Sequence, residues 1–261
     1  MSGKLGVLAP VNKLLVEFEV EKEVERDYGY IEKYLMFNGE STPYKAIVKD
    51  GELLAIVSRR YRLIENERIE EICKEIAEKN ALKFFVDRTR TTIHVFLDDF
   101  DKGVGVVVQN SVDGSLSLRV DATVYAGRAR AIFKIKSETT QVETKHFEKA
   151  ENLVKNLEKI IKVILEKAED FKYFIKELEG IPATDYLDEL EVLNELLPKT
   201  YVEPVIKSIK YNTLIGIQPS LKYVYERIVN NIWLSSAKMK TKIQYYDKLN
   251  NLMFAIVGWK E

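Results

Sequence analysis

The sequence predicts an α+β fold, with an antiparallel β-meander, a helix before it, a long helix after it and an all-helical C-terminal part. Three observations predict this class. Apolar and polar residues alternate from residue 82 to residue 136, apolar residues follow a heptad spacing from residue 147 to residue 178, and the patterning turns helical near Ser137. We therefore divide the chain into a mainly β part, 1–136, and a helical part, 137–261. No Pro/Ser-rich linker separates them, so we expect one compact body.

The first expected elements are extended. Residues 15–20 partly alternate within an acidic N-terminal arm, which predicts a strand. Two further segments, Tyr44–Val48 and Leu53–Val57, flank Asp50-Gly51. Asp-Gly between apolar runs is a strong hairpin signal, because both residues tolerate the positive φ of a tight turn. We expect a β-hairpin here.

A helix is expected from Asn66 to about Asn80, because apolar residues recur at helical spacing and form one stripe. The stripe consists of Ile69, Ile72, Cys73, Ile76 and Ala77. Since Cys73 belongs to this stripe, we interpret it as a core residue and not as a nucleophile.

The alternating region predicts five strands separated by turns at residues 99–103, at Asp113-Gly114 and at Gly127. Links this short cannot contain parallel crossovers, so we expect an antiparallel meander. The strands are Lys83–Arg88, Thr91–Leu97, Val104–Val108, Ser115–Tyr125 and Gly127–Lys136.

A long helix is expected over residues 144–179, where apolar residues follow steps of three and four. Gly180 and Pro182 end it, a short acidic helix follows over residues 185–197, and two or three more helices complete the chain. The heptad positions are Phe147, Ala150, Val154, Leu157, Ile161, Ile164, Ala168, Phe171, Ile175 and Leu178.

Composition excludes several classes of protein. The formal charge is −1, and one cysteine and two histidines rule out an internal disulfide and a Cys/His zinc finger. No apolar run reaches the roughly 18 residues of a membrane span, so we expect a soluble, cytoplasmic protein that does not bind membranes. Charged residues make up 31% of the chain, mostly Lys and Glu, a balance that resembles proteins of hot environments.

No catalytic motif for phosphate, dinucleotide, acyl-transfer or zinc chemistry is found, so we predict no catalytic residue, no metal and no cofactor. Two weak acidic patterns leave a metal-dependent nuclease as a third alternative. Asp98, Asp99 and Asp101 could hold a divalent cation, and Glu143-x-Lys145 is half of a nuclease motif. His94 and His146 are interpreted as surface or satisfied polar residues.

The clearest functional pattern is cationic. Alternation in the last strand places Arg128, Arg130, Lys134 and Lys136 on one face, and the neighbouring strands extend that face. We call this set the basic face and predict that it binds nucleic acid. Its members are Arg88, Arg90, Arg119, Arg128, Arg130, Lys134, Lys136, Phe96 and Tyr125.

Two interpretations of the basic face remain open, because neighbouring cations repel unless anions neutralise them. Phosphates of single-stranded DNA could lie across it while Phe96 and Tyr125 stack on bases. Alternatively, the acidic helices or the acidic N-terminal arm could cover it and form an internal charge network.

A second basic stretch, Lys207–Lys248, holds eight cations and two acids with interleaved Tyr and Trp, whereas Glu143–Glu203 holds 15 acids and nine bases. This segregation could steer a nucleic acid or could drive self-assembly between copies.

Several segments resemble the prokaryotic phage/plasmid-like family of unknown function. They are Ser58-Arg-Arg-Tyr-Arg-Leu-Ile-Glu-Asn-Glu67, Asn110-Ser-Val-Asp-Gly-Ser115, the pair Arg128 and Arg130, and Lys145-His146. The resemblance covers about residues 57–151 and implies a mobile element, but no established activity. This sequence differs from the family's pattern after the arginines. A Cys-Asn pair is expected there, but the chain reads Ala131-Ile132. The order of elements also resembles single-strand annealing proteins, by analogy of fold alone.

We therefore predict an oligomeric nucleic-acid-binding protein of a virus or plasmid that holds single-stranded DNA on the basic face and is not an enzyme. The alternative is a non-enzymatic assembly or host-interaction protein.

Overall fold

The computed structural model describes residues 4–8, 15–135, 143–144 and 150–259. The fold belongs to the α+β class, with two antiparallel sheets followed by helices. This confirms the predicted class.

The first sheet is a five-stranded meander in sequence order. The predicted hairpin is present, and Asp50 (φ 50°) and Gly51 (φ 78°) form its turn. Positive φ at both positions matches the twist of the flanking strands. The strands are β1 (Lys4–Leu8), β2 (Leu15–Glu25), β3 (Tyr30–Phe37), β4 (Glu40–Lys49) and β5 (Glu52–Ser58).

The second sheet is the predicted meander, in the order β10-β9-β8-β7-β6, with β11 paired to β9. Gly105 is required here, because a Cβ atom at this position would lie 2.5 Å from Asp98 Oδ1 and 2.7 Å from the Leu97 carbonyl oxygen. The strands are β6 (Lys83–Arg88), β7 (Thr92–Asp99), β8 (Val104–Ser111), β9 (Leu118–Ala126), β10 (Ala129–Phe133) and β11 (Glu143–Thr144).

The long helix differs from the prediction in two ways. The long helix does not begin at residue 144, because Glu143 and Thr144 pair with β9 as a short strand. It is also interrupted at Asn156, whose backbone (φ −102°, ψ 9°) separates α2 from α3. Phe147 and His146 lie outside the described residues. The helices are α1 (Asn66–Lys79), α2 (Ala150–Lys155), α3 (Leu157–Glu177), α4 (Leu187–Leu196), α5 (Lys199–Leu214), α6 (Leu221–Leu234) and α7 (Met239–Val257).

Helices cover both faces of the second sheet. On one face lie α1 and α3, where Phe133 stacks on Phe171 with ring centroids 4.4 Å apart. On the other face lie α6 and α7, and the Asn250 amide donates a hydrogen bond to the Ile132 carbonyl at 2.8 Å. Because both faces are covered, every residue of β8 is buried. Cys73 is fully buried in this core, as predicted.

None of the helices in the described ranges has both the length and the apolarity that a bilayer span requires.

Candidate nucleic-acid interface

The basic face exists as a geometric face, but the expectation that it is open to solvent is wrong. His94, Phe96 and Asp98 of β7 share it with residues of β9 and β10, as the alternation predicts. Phe96 is fully buried, and its ring lies 5.9 Å from that of Trp233 on α6. The face is covered because α6 and α7, from the far end of the chain, pack across it.

Arg130 lies within a cage of aromatic rings. Its Nε donates to Asp98 Oδ2 at 3.0 Å, and its guanidinium carbon lies 5.2–5.7 Å from four ring centroids. The rings belong to Phe85, Phe96, Tyr125 and Trp233. The prediction that Phe96 stacks on bases is wrong, because its ring is fully buried. Tyr125 is only partly buried, so stacking of its ring on a base stays a prediction. Tyr125 also donates its hydroxyl to Asp98 at 3.0 Å.

Arg119 and Lys134 are paired as well. Arg119 Nε donates to Asp121 Oδ1 at 2.6 Å, and Lys134 Nζ lies 2.8 Å from Asp247 Oδ2 on α7. Burial raises the pKa of Asp121 to about 6, although Arg119 acts in the opposite direction. These contacts form an internal charge network. Its carboxylates come from the sheet itself and from α7, and not from the acidic helices or the N-terminal arm named as alternatives above.

Arg88 lies on the opposite face from the one predicted. The turn after β6 reverses the chain, so Arg88 stands directly across from Ile93 and shares its face. There Arg88 forms an ion pair with Glu70 of α1. Arg90, in the turn itself, is exposed and pairs with Glu52 of β5.

Arg128 is exposed in the turn between β9 and β10. The last predicted cation, Lys136, lies outside the described residues, as do Lys145 and His146.

A cavity of about 650 Å³ opens beside the basic face, between the β6–β7 hairpin and the connection from α6 to α7. We call it the lysine pocket. Its lining combines three lysines with aromatic rings, hydroxyl groups and one histidine. These residues include Lys238, Lys240, Lys242, Phe85, Trp233, His94, Thr89, Thr91, Thr92 and Ser115.

The three lysines lie at the start of α7 and carry the positive charge of the pocket. Lys240 Nζ donates to the Ser115 carbonyl at 2.8 Å, and Lys242 Nζ donates to the Trp233 carbonyl at 2.6 Å. In the part of the chain that the structure describes, neither these two lysines nor Lys238 forms an ion pair. The first turn of α7 has no acidic residue, so the helix dipole adds to the positive potential.

Two acids also line the pocket. Asp113 accepts a hydrogen bond from the Ser115 amide at 2.8 Å. Burial opposes its ionisation, but hydrogen bonds from Ser115 and Thr91 hold its pKa below the usual value. Asp87 raises the pKa of Lys242, which burial lowers more strongly. The lining of the pocket thus contains three lysines and two carboxylates, an excess of positive charge.

His94 lies in the wall of the pocket and is only 3% exposed. The interpretation of His94 as a surface or satisfied residue is wrong, because its Nε2 is buried with no hydrogen-bond partner. The backbone of Asp87 hydrogen-bonds the ring, and that bond belongs to Nδ1 because Nε2 is unpartnered. Burial lowers the pKa of His94 to about 4.

The acidic turn after β7 does not form a metal site. Asp98 pairs with Arg130 inside the cage, and Asp99 accepts a hydrogen bond from the Lys102 amide at 3.2 Å. Within the described residues, no group of three or more His, Cys, Asp or Glu side chains could hold a metal ion.

Comparisons with protein-family models, with curated proteins and with solved structures find no match to this chain. The resemblance of residues 57–151 to the phage/plasmid-like family stays a prediction.

Proposed function

We propose that the protein binds single-stranded nucleic acid and that the lysine pocket holds its phosphates. One observation supports this most strongly. Lys238, Lys240 and Lys242 surround a cavity without a carboxylate in ion-pair contact, whereas Arg130, Arg119 and Lys134 of the basic face are neutralised internally. Cations that outnumber the carboxylates and have no ion-pair partner around one cavity favour a polyanionic ligand, because each phosphate contact releases counterions.

The surroundings of the pocket suit a single strand better than a rigid duplex. Phe85 is 48% exposed in the pocket wall and offers a ring to an unstacked base. Arg90 sits between two threonines of the lining, and its ion pair with Glu52 is exposed. Exposed ion pairs contribute little, so a phosphate can displace Glu52. Handling of nucleic acid also agrees with the mobile-element context that the resemblance implies.

The test is charge reversal at the exposed lysines of the pocket. We expect Lys238→Glu with Lys240→Glu to abolish binding of a labelled single-stranded oligonucleotide, measured by fluorescence anisotropy. With single alanine variants, the slope of log binding constant against log salt concentration should fall by about 0.7 for each phosphate that the protein no longer neutralises.

The matched control carries the same change of charge elsewhere. Lys155→Glu with Lys159→Glu alters two exposed lysines on α2 and α3, which lie on the opposite side of the second sheet. We expect this control to weaken binding only slightly. Equal loss in both variants would show that net charge, and not the pocket, determines binding, and absence of binding by the wild type would reject the proposal.

A second candidate function is assembly with further copies of this chain, and an exposed apolar segment favours it. At the end of α5 and in the following loop, Tyr211, Leu214, Ile215 and Ile217 are 54–85% exposed. Apolar side chains concentrated in this way are typical of protein interfaces.

A further inference from the structure

The Nε2 atom of His94 is a hydrogen-bond acceptor that has no partner within the described fold. Nδ1 of the same ring is engaged by the backbone of Asp87, which leaves the Nε2 lone pair free. A neutral imidazole whose proton is on Nδ1 can only accept at Nε2. A buried acceptor without a partner is unfavourable and rare in folded proteins, which suggests that a group from outside the chain satisfies it.

The position of His94 indicates what could satisfy it. The residue lines the lysine pocket together with Phe85 and Trp233, but Nε2 itself is covered by its neighbours, so a ligand in the cavity contacts it only after a small shift of this wall of the pocket. A phosphate offers no donor and cannot bond to a neutral Nε2. The group that meets His94 must therefore be flat enough to lie against the rings and must carry an N–H or O–H.

The lysine pocket has a charged, exposed side and a buried side. Lys238 and Lys240 are exposed, whereas His94 is buried. A nucleotide has the matching division, with an anionic phosphate at one end and a flat base with ring or exocyclic N–H donors at the other.

We propose that the lysine pocket takes one unstacked nucleobase of the bound strand, which donates an N–H to His94 Nε2 while the adjacent phosphate contacts the lysines. This rests on the proposed function and adds a base-specific contact to it. The base lies against Phe85, and its N–H group replaces the partner that the fold does not supply.

The test compares a labelled oligothymidylate of about 12 nucleotides with an abasic strand of the same length. Both strands have the same phosphates, so only the contribution of the base differs. We expect the wild type to bind the intact strand about tenfold more tightly, which corresponds to about 1.4 kcal/mol. Equal affinities would overturn the proposal for the base, while failure to bind either strand would reject the proposed function itself.

Variants of His94 test the contact directly. His94→Phe keeps a ring but removes the acceptor, and we expect its affinity for the intact strand to fall about fivefold to tenfold and its affinity for the abasic strand to stay the same. His94→Gln offers an amide oxygen as acceptor and should recover part of the affinity. An unchanged preference for bases in His94→Phe would overturn the proposed hydrogen bond.

A second measurement does not depend on a His94 variant. In the Trp259→Phe background, Trp233 is the only tryptophan and reports on the pocket. We expect the intact strand to quench its fluorescence and the abasic strand to leave it nearly unchanged. Equal quenching by both strands would place no base beside Trp233 and contradict the proposal.

Discussion

Arg130 is a cation held inside the protein by its neighbours. Asp98 supplies its counter-charge, four rings surround it, and its side chain is 17% exposed. Arg130→Gln would leave the Asp98 carboxylate buried without a cation. We expect a decrease of about 3–5 kcal/mol in the free energy of unfolding, measured by urea denaturation.

The neighbouring Arg128 provides the control for this prediction. It is exposed in the β9–β10 turn, so Arg128→Gln should change the free energy of unfolding by no more than about 0.5 kcal/mol. If Arg130→Gln were as stable as the wild type and yet bound oligonucleotide poorly, Arg130 would be a binding residue and the internal network would be the wrong description.

Two buried groups of the second sheet oppose each other in the pH dependence of stability. Burial lowers the pKa of His94 from 6.5 to about 4, so its contribution is present above pH 6.5 and is lost as the pH falls toward 4. Burial raises the pKa of Asp121 from 3.8 to about 6, so its contribution is present below pH 3.8 and is lost as the pH rises toward 6. The two windows overlap, and their effects partly cancel in the wild type.

His94→Phe separates these effects. Between pH 7 and pH 5 we expect the free energy of unfolding to decrease by about 2 kcal/mol more in the wild type than in His94→Phe. Asp121 and His146 are present in both proteins, so their contributions cancel in the comparison of urea denaturation curves. Parallel pH profiles would show that His94 is not buried as a neutral ring.

At the scale of elements, hydrophobic periodicity predicted the strands and helices whose formation depends on neighbouring residues. The strand β6 and the helix α1 begin at the predicted residues, because their alternation and apolar stripe are read from neighbouring positions. Arg88 was placed on the wrong face because the turn after β6 changes the parity of the alternation. The long helix was predicted to begin at residue 144, but Glu143 and Thr144 pair with β9, far back in the sequence, and form a short strand.

The candidate site depends on packing between distant elements, which periodicity does not encode. The cover of the basic face comes from α6 and α7, and the hydrogen bond from Asn250 to Ile132 joins residues 118 positions apart in the sequence. The same packing creates the lysine pocket from a hairpin and a helix start. The only sequence signal for its lysines was the second basic stretch, in which Lys238, Lys240 and Lys242 were not distinguished from the others.

At the scale of the whole molecule, part of the charge segregation seen in the sequence is neutralised inside the chain. Lys210 pairs with Glu191 and Lys222 pairs with Glu179, so part of the second basic stretch already meets the acidic helices of the same copy. This weakens the case for assembly through opposite charges. The exposed apolar segment at the end of α5 is then the better candidate for contact between copies.

Salt distinguishes the two modes of assembly. Contact between oppositely charged segments weakens as salt concentration rises, whereas contact through the exposed apolar segment does not. We expect light scattering to give a mass above the 30.2 kDa of one chain at both about 0.1 M and about 1 M NaCl, because apolar contacts are not screened. Leu214→Glu should shift the mass to that of one chain, while Tyr173→Glu, exposed on α3, should leave it unchanged. Dissociation by salt together with indifference to Leu214→Glu would instead assign assembly to the charged segments. A wild type that stays monomeric in both buffers would remove assembly as a candidate function and leave the lysine pocket as the surface to explain.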